Sequence, residues 1–149
     1  MRHLALLVLL VALPGCGDDG GASAQQPGKG NGGLSLAVTF GEPLRSGHPV
    51  TWTLEVENGG ADEATLMFRS GKDGDVSLLQ GGREAYRWSA SRFFSQAMRQ
   101  VRFGPGERKV YTLEESTLPA AAGDYELVAE LDSEPAPPPA RRSVEVEKG

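Results

Sequence analysis

Few side chains in this sequence are of the types that make or break bonds, and their spacing narrows the choice further. The 149 residues include one cysteine, Cys16, and two histidines, His3 and His48. These three positions are too few and too scattered for a His/Cys metal cluster, and no Cys-x-x-Cys pair exists. No D-x-D-x-D-G loop, G-x-S-x-G, H-E-x-x-H or phosphate-binding loop occurs. His48 stands in Ser46-Gly47-His48-Pro49, a turn ahead of an alternating stretch. Glu114-Glu115 and Asp18-Asp19 are adjacent pairs. Neighbours on a strand face opposite ways, so neither pair resembles an acid/base dyad. No catalytic residue, metal ligand or cofactor is expected.

The chemistry that remains is recognition. The run from Arg87-Trp88-Ser89 to Gln96 concentrates arginine and aromatic residues, the types that dominate interface hot spots. Arg87, Trp88, Arg92 and Phe93 are the candidate contacts for a protein partner. Trp88 and Phe94 also read as core residues that fix a local turn to a sheet, and Gln96 as a side chain that satisfies buried backbone groups.

Charge sharpens this picture. Lys+Arg number 15 against Asp+Glu 20, a net charge of −5, which argues against nucleic acid as a partner. The distribution is uneven. Residues 83–109 carry Arg83, Arg87, Arg92, Arg99, Arg102, Arg108 and Lys109 against only Glu84 and Glu107. Such a stretch is either a basic face for anionic headgroups or an acidic partner, or a solvated surface paired with the acidic C-terminal strands.

At the N-terminus, Met1-Arg2-His3 precedes an unbroken apolar run, Leu4 to Leu13. Ten apolar residues reach about 15 Å as a helix, half of a hydrocarbon core of roughly 30 Å. That length suits the apolar region of a signal peptide and not a membrane-spanning helix. Leu13-Pro14-Gly15-Cys16 follows and resembles the lipobox of bacterial lipoproteins, with Pro14 departing from the usual small or β-branched residue. The resemblance implies cleavage before Cys16, lipidation of its thiol, and attachment of an exported protein to the cell envelope, at the outer membrane or the outer face of the cytoplasmic membrane. Residues 1–15 are thus the expected signal peptide, and 16–33 the lipidated cysteine with its tether. The stretch 17–33 holds seven glycines and no large apolar residue. Such a composition forms a flexible tether, with a reach of roughly 23 Å by random-coil scaling.

From Leu34 the pattern changes. Leu34, Leu36, Val38 and Phe40 alternate with smaller or polar residues, as do Val50, Trp52, Leu54 and Val56, and later Tyr125, Leu127, Ala129 and Leu131. Period-two alternation marks strands with one buried and one wet face, hence antiparallel sheet. Asn58-Gly59-Gly60, Gly71-Lys72-Asp73-Gly74, Gly81-Gly82 and Gly104-Pro105-Gly106 punctuate the runs. Further strands are expected over 63–69, 75–80, 84–88, 108–113 and 142–147. The reading is all-β: an immunoglobulin-like antiparallel sandwich of 7–9 strands over 34–149, held by packing without a disulfide. Phe93, Phe94, Ala97, Met98 and Val101 fall at helical spacing, which predicts one short helical turn capped by Ser91. Glu134 to Ala140, rich in proline, reads as an extended loop before the last strand.

The middle of this region resembles the intracellular proteinase inhibitor (BsuPI) family. Phe68-Arg69-Ser70-Gly71, then Asp75-Val76-Ser77-Leu78, resembles its F-x-S-G…D-F-x-V stretch. Gly82 to Ser89 is similar to its G-x-x-V-W-R-W-S run, and Phe94-Ser95-Gln96-Ala97 to the F-T-Q-A that follows. Phe103-Gly104-Pro105-Gly106-Glu107 resembles its L-x-P-G-E, and Gly123-Asp124-Tyr125 its G-x-Y. Tyr86 replaces the first tryptophan, Gly74 a tyrosine and Val76 a phenylalanine, and a tryptophan near Leu113 to Glu115 is missing. Order and spacing agree over about residues 50–131.

The matching residues Ser70, Gly71, Asp75, Gly82, Trp88, Ser89, Phe94, Gln96, Pro105, Gly106 and Tyr125 are expected to serve the fold. The resemblance implies an immunoglobulin-like, non-catalytic binding module that inhibits a serine proteinase of the subtilisin type. The alternative is an envelope adaptor that docks a protein through a sheet edge or the basic face.

Overall fold

The computed structural model describes residues 31–149. The expected signal peptide, Cys16 and most of the expected tether lie outside the described residues. Asn31–Gly33 makes a short 3-10 turn, and the Gly33 carbonyl accepts the Gly59 N–H at 2.8 Å.

Eleven strands follow: β1 (Leu34–Thr39), β2 (Leu44–Arg45), β3 (Val50–Asn58), β4 (Ala64–Phe68), β5 (Gly74–Gln80), β6 (Arg83–Arg87), β7 (Arg99–Phe103), β8 (Arg108–Glu115), β9 (Gly123–Leu131), β10 (Ser133–Glu134) and β11 (Ala140–Glu147). Nine have five residues or more, and β2 and β10 have two each. One sheet has the order β1-β3-β8, and the facing sheet β2-β11-β9-β5-β6. A third, small sheet has the order β10-β4-β7. All pairings are antiparallel except β2 with β11.

The architecture is an immunoglobulin-like sandwich. The first sheet places sequence-distant β3 and β8 side by side, and the second stacks β5, β9 and β11, the arrangement of that fold's B–E and C–F–G strands. Tyr125, near the start of β9, donates its hydroxyl to the Ala121 carbonyl at 2.9 Å. This is the tyrosine corner typical of such folds.

Alternation explains the layering. In β3 every second residue from Val50 is buried, and Trp52, Leu54 and Val56 are completely enclosed. They meet Leu36 and Val38 of β1, Val76 and Leu78 of β5, and Leu127 and Ala129 of β9 in one core. Phe40 stands edge-on to Trp52 with ring centres 5.3 Å apart, a favoured aromatic geometry.

Two glycine turns fix strand pairing. Gly81 and Gly82, with φ of 57° and 77°, make a two-residue turn between β5 and β6. Positive φ at both centres is what a twisted hairpin demands. In Gly104–Glu107, Pro105 and then Gly106 at φ 74° fill the central positions of a turn closed by the Glu107 N–H on the Gly104 carbonyl.

The expected helical turn forms elsewhere. The 3-10 turn spans Trp88–Ser91, and Arg92 is already extended at φ −117°, ψ 150°. Phe93 and Met98, assigned by spacing to a helix face, stand in solvent, while Val101 belongs to β7. The helical spacing is coincidental: β7 alternates on its own, and pairing with β4 satisfies its backbone.

Candidate functional site

The segment from β6 to β7 crosses the open side of the sandwich, between the β6 edge of one sheet and the β8 edge of the other. Two anchors hold it.

The first is Asp75, on β5 and only 4% exposed. Its carboxylate accepts the Ser89 N–H at 3.1 Å, the Ser89 hydroxyl in a very short bond, and its neighbour Val76 N–H at 3.1 Å. Arg87 and Lys72 supply positive charge at 3.3 and 3.5 Å. A buried carboxylate needs such saturation. Glu84 also takes the Arg87 guanidinium at 2.6 Å, and these contacts, Glu84 foremost, hold the Arg87 pKa above its usual value. Arg87 is therefore engaged within the fold.

The second anchor is Trp88. Its indole N–H donates to the Glu114 carbonyl at 2.9 Å, and its ring packs against Phe94 at 5.7 Å between centres. Arg92 folds back over that ring, 4.4 Å from its centre. Its guanidinium donates to the carbonyls of Trp88 at 2.6 Å and Glu114 at 2.7 Å, and meets the Glu115 carboxylate at 3.3 Å. Glu115 also accepts the Tyr86 hydroxyl at 3.1 Å. Burial and then the Glu115 charge raise the Tyr86 pKa, with Trp52 and Arg92 opposing. Beyond Phe94, the Ser95 carbonyl accepts the Gly71 N–H at 2.8 Å.

Phe93 lies between these fixed points and packs on nothing: it is 102% exposed relative to a free residue. Beside it runs an open groove of about 440 Å³, lined by Ser70, Lys72, Ser89, Phe94 and Gln96 among others. Of the four candidate partner contacts, Trp88 is buried, Arg87 and Arg92 are partly covered by their ion pairs, and Phe93 alone is free.

The family-motif positions fall in four places. Ser70, Gly71, Asp75, Trp88, Ser89, Phe94 and Gln96 gather around this segment. Ser70 accepts the Lys72 N–H through its hydroxyl at 3.2 Å. Gln96 is exposed and makes no hydrogen bond to buried backbone among the described residues, which corrects the role expected for it. Gly82 serves the β5–β6 turn, Tyr125 the tyrosine corner, and Pro105 with Gly106 the turn at the far end of β8.

Five of the seven basic residues in 83–109 pair with acids: Arg87 with Asp75 and Glu84, Arg92 with Glu115, Arg99 with Asp73, Arg108 with Glu55 and Glu57, and Lys109 with Glu107. Six of these seven acids precede residue 110. The expected pairing with acidic C-terminal strands is thus corrected: register across β3–β8 brings Arg108 against Glu57, and the β4–β5 connection supplies Asp73.

Sequence reasoning missed Asn58, Glu114 and Glu115. Asn58 is fully buried and donates to the Asp62 and Phe103 carbonyls at 2.8 and 3.0 Å while accepting the Gly60 N–H at 3.0 Å. It ties together the two connections that interrupt β3–β4 and β7–β8. The clue was its place ahead of two glycines, where asparagine often bonds to nearby backbone. Glu114 acts through its carbonyl, which sequence cannot reveal. Among the described residues no three metal-binding side chains converge, and no helix is long and apolar enough to cross a membrane.

A sandwich with a tyrosine corner and a doubly anchored aromatic segment defines an immunoglobulin-like domain. Residues 40–136 match the family described as intracellular proteinase inhibitor, BsuPI, and the chain belongs to that family. No curated protein matches the sequence. Among solved structures, the sporulation control protein Spo0M from Bacillus subtilis is similar with a TM-score of 0.51 and 13% identity, covering 78% of this chain and 50% of that one. This chain thus spans half the length of that protein, and the likeness concerns the fold alone. The CARDB domain of PF1109 from Pyrococcus furiosus, in complex with di-metal ions, gives a TM-score of 0.45 at 19% identity over 78% of this chain and 94% of that one. A β-glucosidase from Listeria innocua in complex with glucose gives 0.44 at 14% identity over 76% of this chain and 16% of the enzyme.

Proposed function

We propose that this protein is a lipid-anchored, non-catalytic binding module of the cell envelope that inhibits a serine proteinase through the segment between Trp88 and Arg99. The observation that carries the reading is the bracing of that segment within a family named for proteinase inhibition. Inhibitory loops owe affinity to rigidity, because an ordered loop loses little entropy when it enters a cleft. Here Asp75–Ser89 holds one end, Arg92 and Phe94 grip Trp88 at the middle, and Gly71–Ser95 fixes the far side.

Anchoring at Cys16 follows from the N-terminal sequence. Its thiol, once lipidated, would hold the inhibitor at the membrane surface, and residues 17–33 would give the domain reach. A basic face offers the adaptor alternative less support, because most of its cations are already paired with neighbouring acids.

The full-length protein, extracted in detergent, should slow hydrolysis of a chromogenic peptide by a serine proteinase of the subtilisin or chymotrypsin type at micromolar concentration or below. Absence of inhibition across such enzymes and trypsin would remove the inhibitory reading. Mass spectrometry of the mature N-terminus tests the anchor separately. A diacylglyceryl adduct on Cys16 is expected, and an unmodified cysteine or cleavage elsewhere would refute it.

A further inference from the structure

The Arg92-Phe93 pair offers two incompatible ways to engage a proteinase. An arginine would suit a trypsin-like specificity pocket with an acid at its base, and a phenylalanine an apolar slot. The structure separates them. Arg92 is committed: its side chain is 26% exposed, and its guanidinium stacks on Trp88 and is bonded to two carbonyls and Glu115. Freeing it would break all four contacts. Phe93, next along the chain, has a completely exposed ring.

Extended backbone sends successive side chains to opposite sides, and Arg92 is extended at φ −117°, ψ 150°. Arg92 and Phe94 therefore turn inward onto Trp88, and Phe93 turns outward between them. With both neighbours anchored, the ring is held out from a fixed base and not from a slack loop. Met98, 66% exposed on the same segment, adds a second apolar side chain on the approach to β7.

We propose that Phe93 is the side chain this domain delivers into the primary specificity pocket of its proteinase. The partner is accordingly a serine proteinase with an apolar pocket, subtilisin-like or chymotrypsin-like, and not a trypsin-like enzyme. The assignment rests on the inhibitory reading above and adds to it the residue that enters the pocket. Arg92 is a positioning residue that sets the angle at which Phe93 leaves the surface.

The test is a comparison of the full-length wild type with Phe93→Ala and Phe93→Arg, in detergent, against subtilisin, chymotrypsin and trypsin. The wild type should inhibit the first two and spare trypsin. F93A should raise Ki for them by about 10- to 100-fold, the worth of one buried phenylalanine side chain. F93R should lose the same inhibition and acquire inhibition of trypsin, a reversal that general damage to the fold could not produce. All three proteins should melt at the same temperature, since the ring packs on nothing. Wild-type inhibition that F93A leaves unchanged would overturn the assignment and leave the inhibitory reading intact. So would preferential inhibition of trypsin by the wild type, or a lowered melting temperature in F93A. Absence of wild-type inhibition against all three enzymes would overturn both.

Discussion

Ser89 donates both its backbone N–H and its hydroxyl to the carboxylate of Asp75, fourteen positions earlier in the chain. This double bond pattern joins the end of β6 to the buried middle of the second sheet and sets where the Trp88–Ser91 turn begins. Ser89→Ala removes one charge-assisted bond from a carboxylate that is 4% exposed. Stability should fall by about 1–3 kcal/mol. Urea unfolding checks the loss, and a change indistinguishable from zero would mean that Arg87 and Lys72 suffice.

Asn58 makes a second prediction. Its side chain satisfies two carbonyls and one N–H inside the fold. Asn58→Leu keeps a similar volume and strips all three partners, at a cost of about 2–4 kcal/mol. Asn58→Asp should be at least as harmful, since a carboxylate cannot donate to the Phe103 carbonyl and would be buried as a charge. Thermal melts of both variants decide this. A melting point like that of the wild type would show that the connections between β3–β4 and β7–β8 hold without it.

Gly74 is tested by one added methyl group. A Cβ there would come within 2.5 Å of the Glu130 carbonyl oxygen and 2.6 Å of Leu54 Cδ1. The first belongs to the adjacent strand β9, so the β5–β9 ladder must shift. Gly74→Ala should destabilise by about 1–3 kcal/mol, typical of overpacking. Amide exchange should show the loss of protection concentrated around Leu131, the register partner of Gly74.

Tyr86 predicts a pH effect. Burial holds its hydroxyl neutral, so its pKa in the folded protein lies above that in the unfolded chain, where a tyrosine ionises near 10. The unfolded chain therefore releases this proton first as pH rises. Its contribution is intact below about pH 10 and is lost progressively above it. Between roughly pH 8 and pH 11 the wild type should lose more stability than Tyr86→Phe. Parallel losses in the two proteins would remove Tyr86 as the cause. Tyr111 shifts in the same direction and is common to both, so the difference isolates Tyr86.

What could be read from the sequence, and what could not, follows from the range of the interactions. Alternation is local, and it located β1, β3 and β9 closely because each has one face in the core. The Gly81-Gly82 and Gly104-Pro105-Gly106 turns were legible because their chemistry is written in adjacent residues. The strand β7 was hidden because Phe94 and Val101, both inward, happen to lie at helical spacing with outward Phe93 and Met98. The two-residue strands β2 and β10 are too short to carry a period. At the candidate site, the residue types were visible in advance and their division of labour was not. Nothing in Arg92-Phe93 says which side chain folds back, because the answer depends on Trp88, Glu114 and Glu115, and Glu115 is 23 residues away.

The sandwich closes around Trp52, Leu54, Phe68 and Leu127 with no cysteine anywhere in residues 31–149. Its stability therefore does not respond to the thiol–disulfide poise of its surroundings. Domains that depend on a bridge are confined to oxidising compartments, whereas this one needs no oxidant and no disulfide isomerase. The same scaffold can operate on either side of a membrane. A family whose name places it inside the cell can thus supply the exported module proposed above without rebuilding the core.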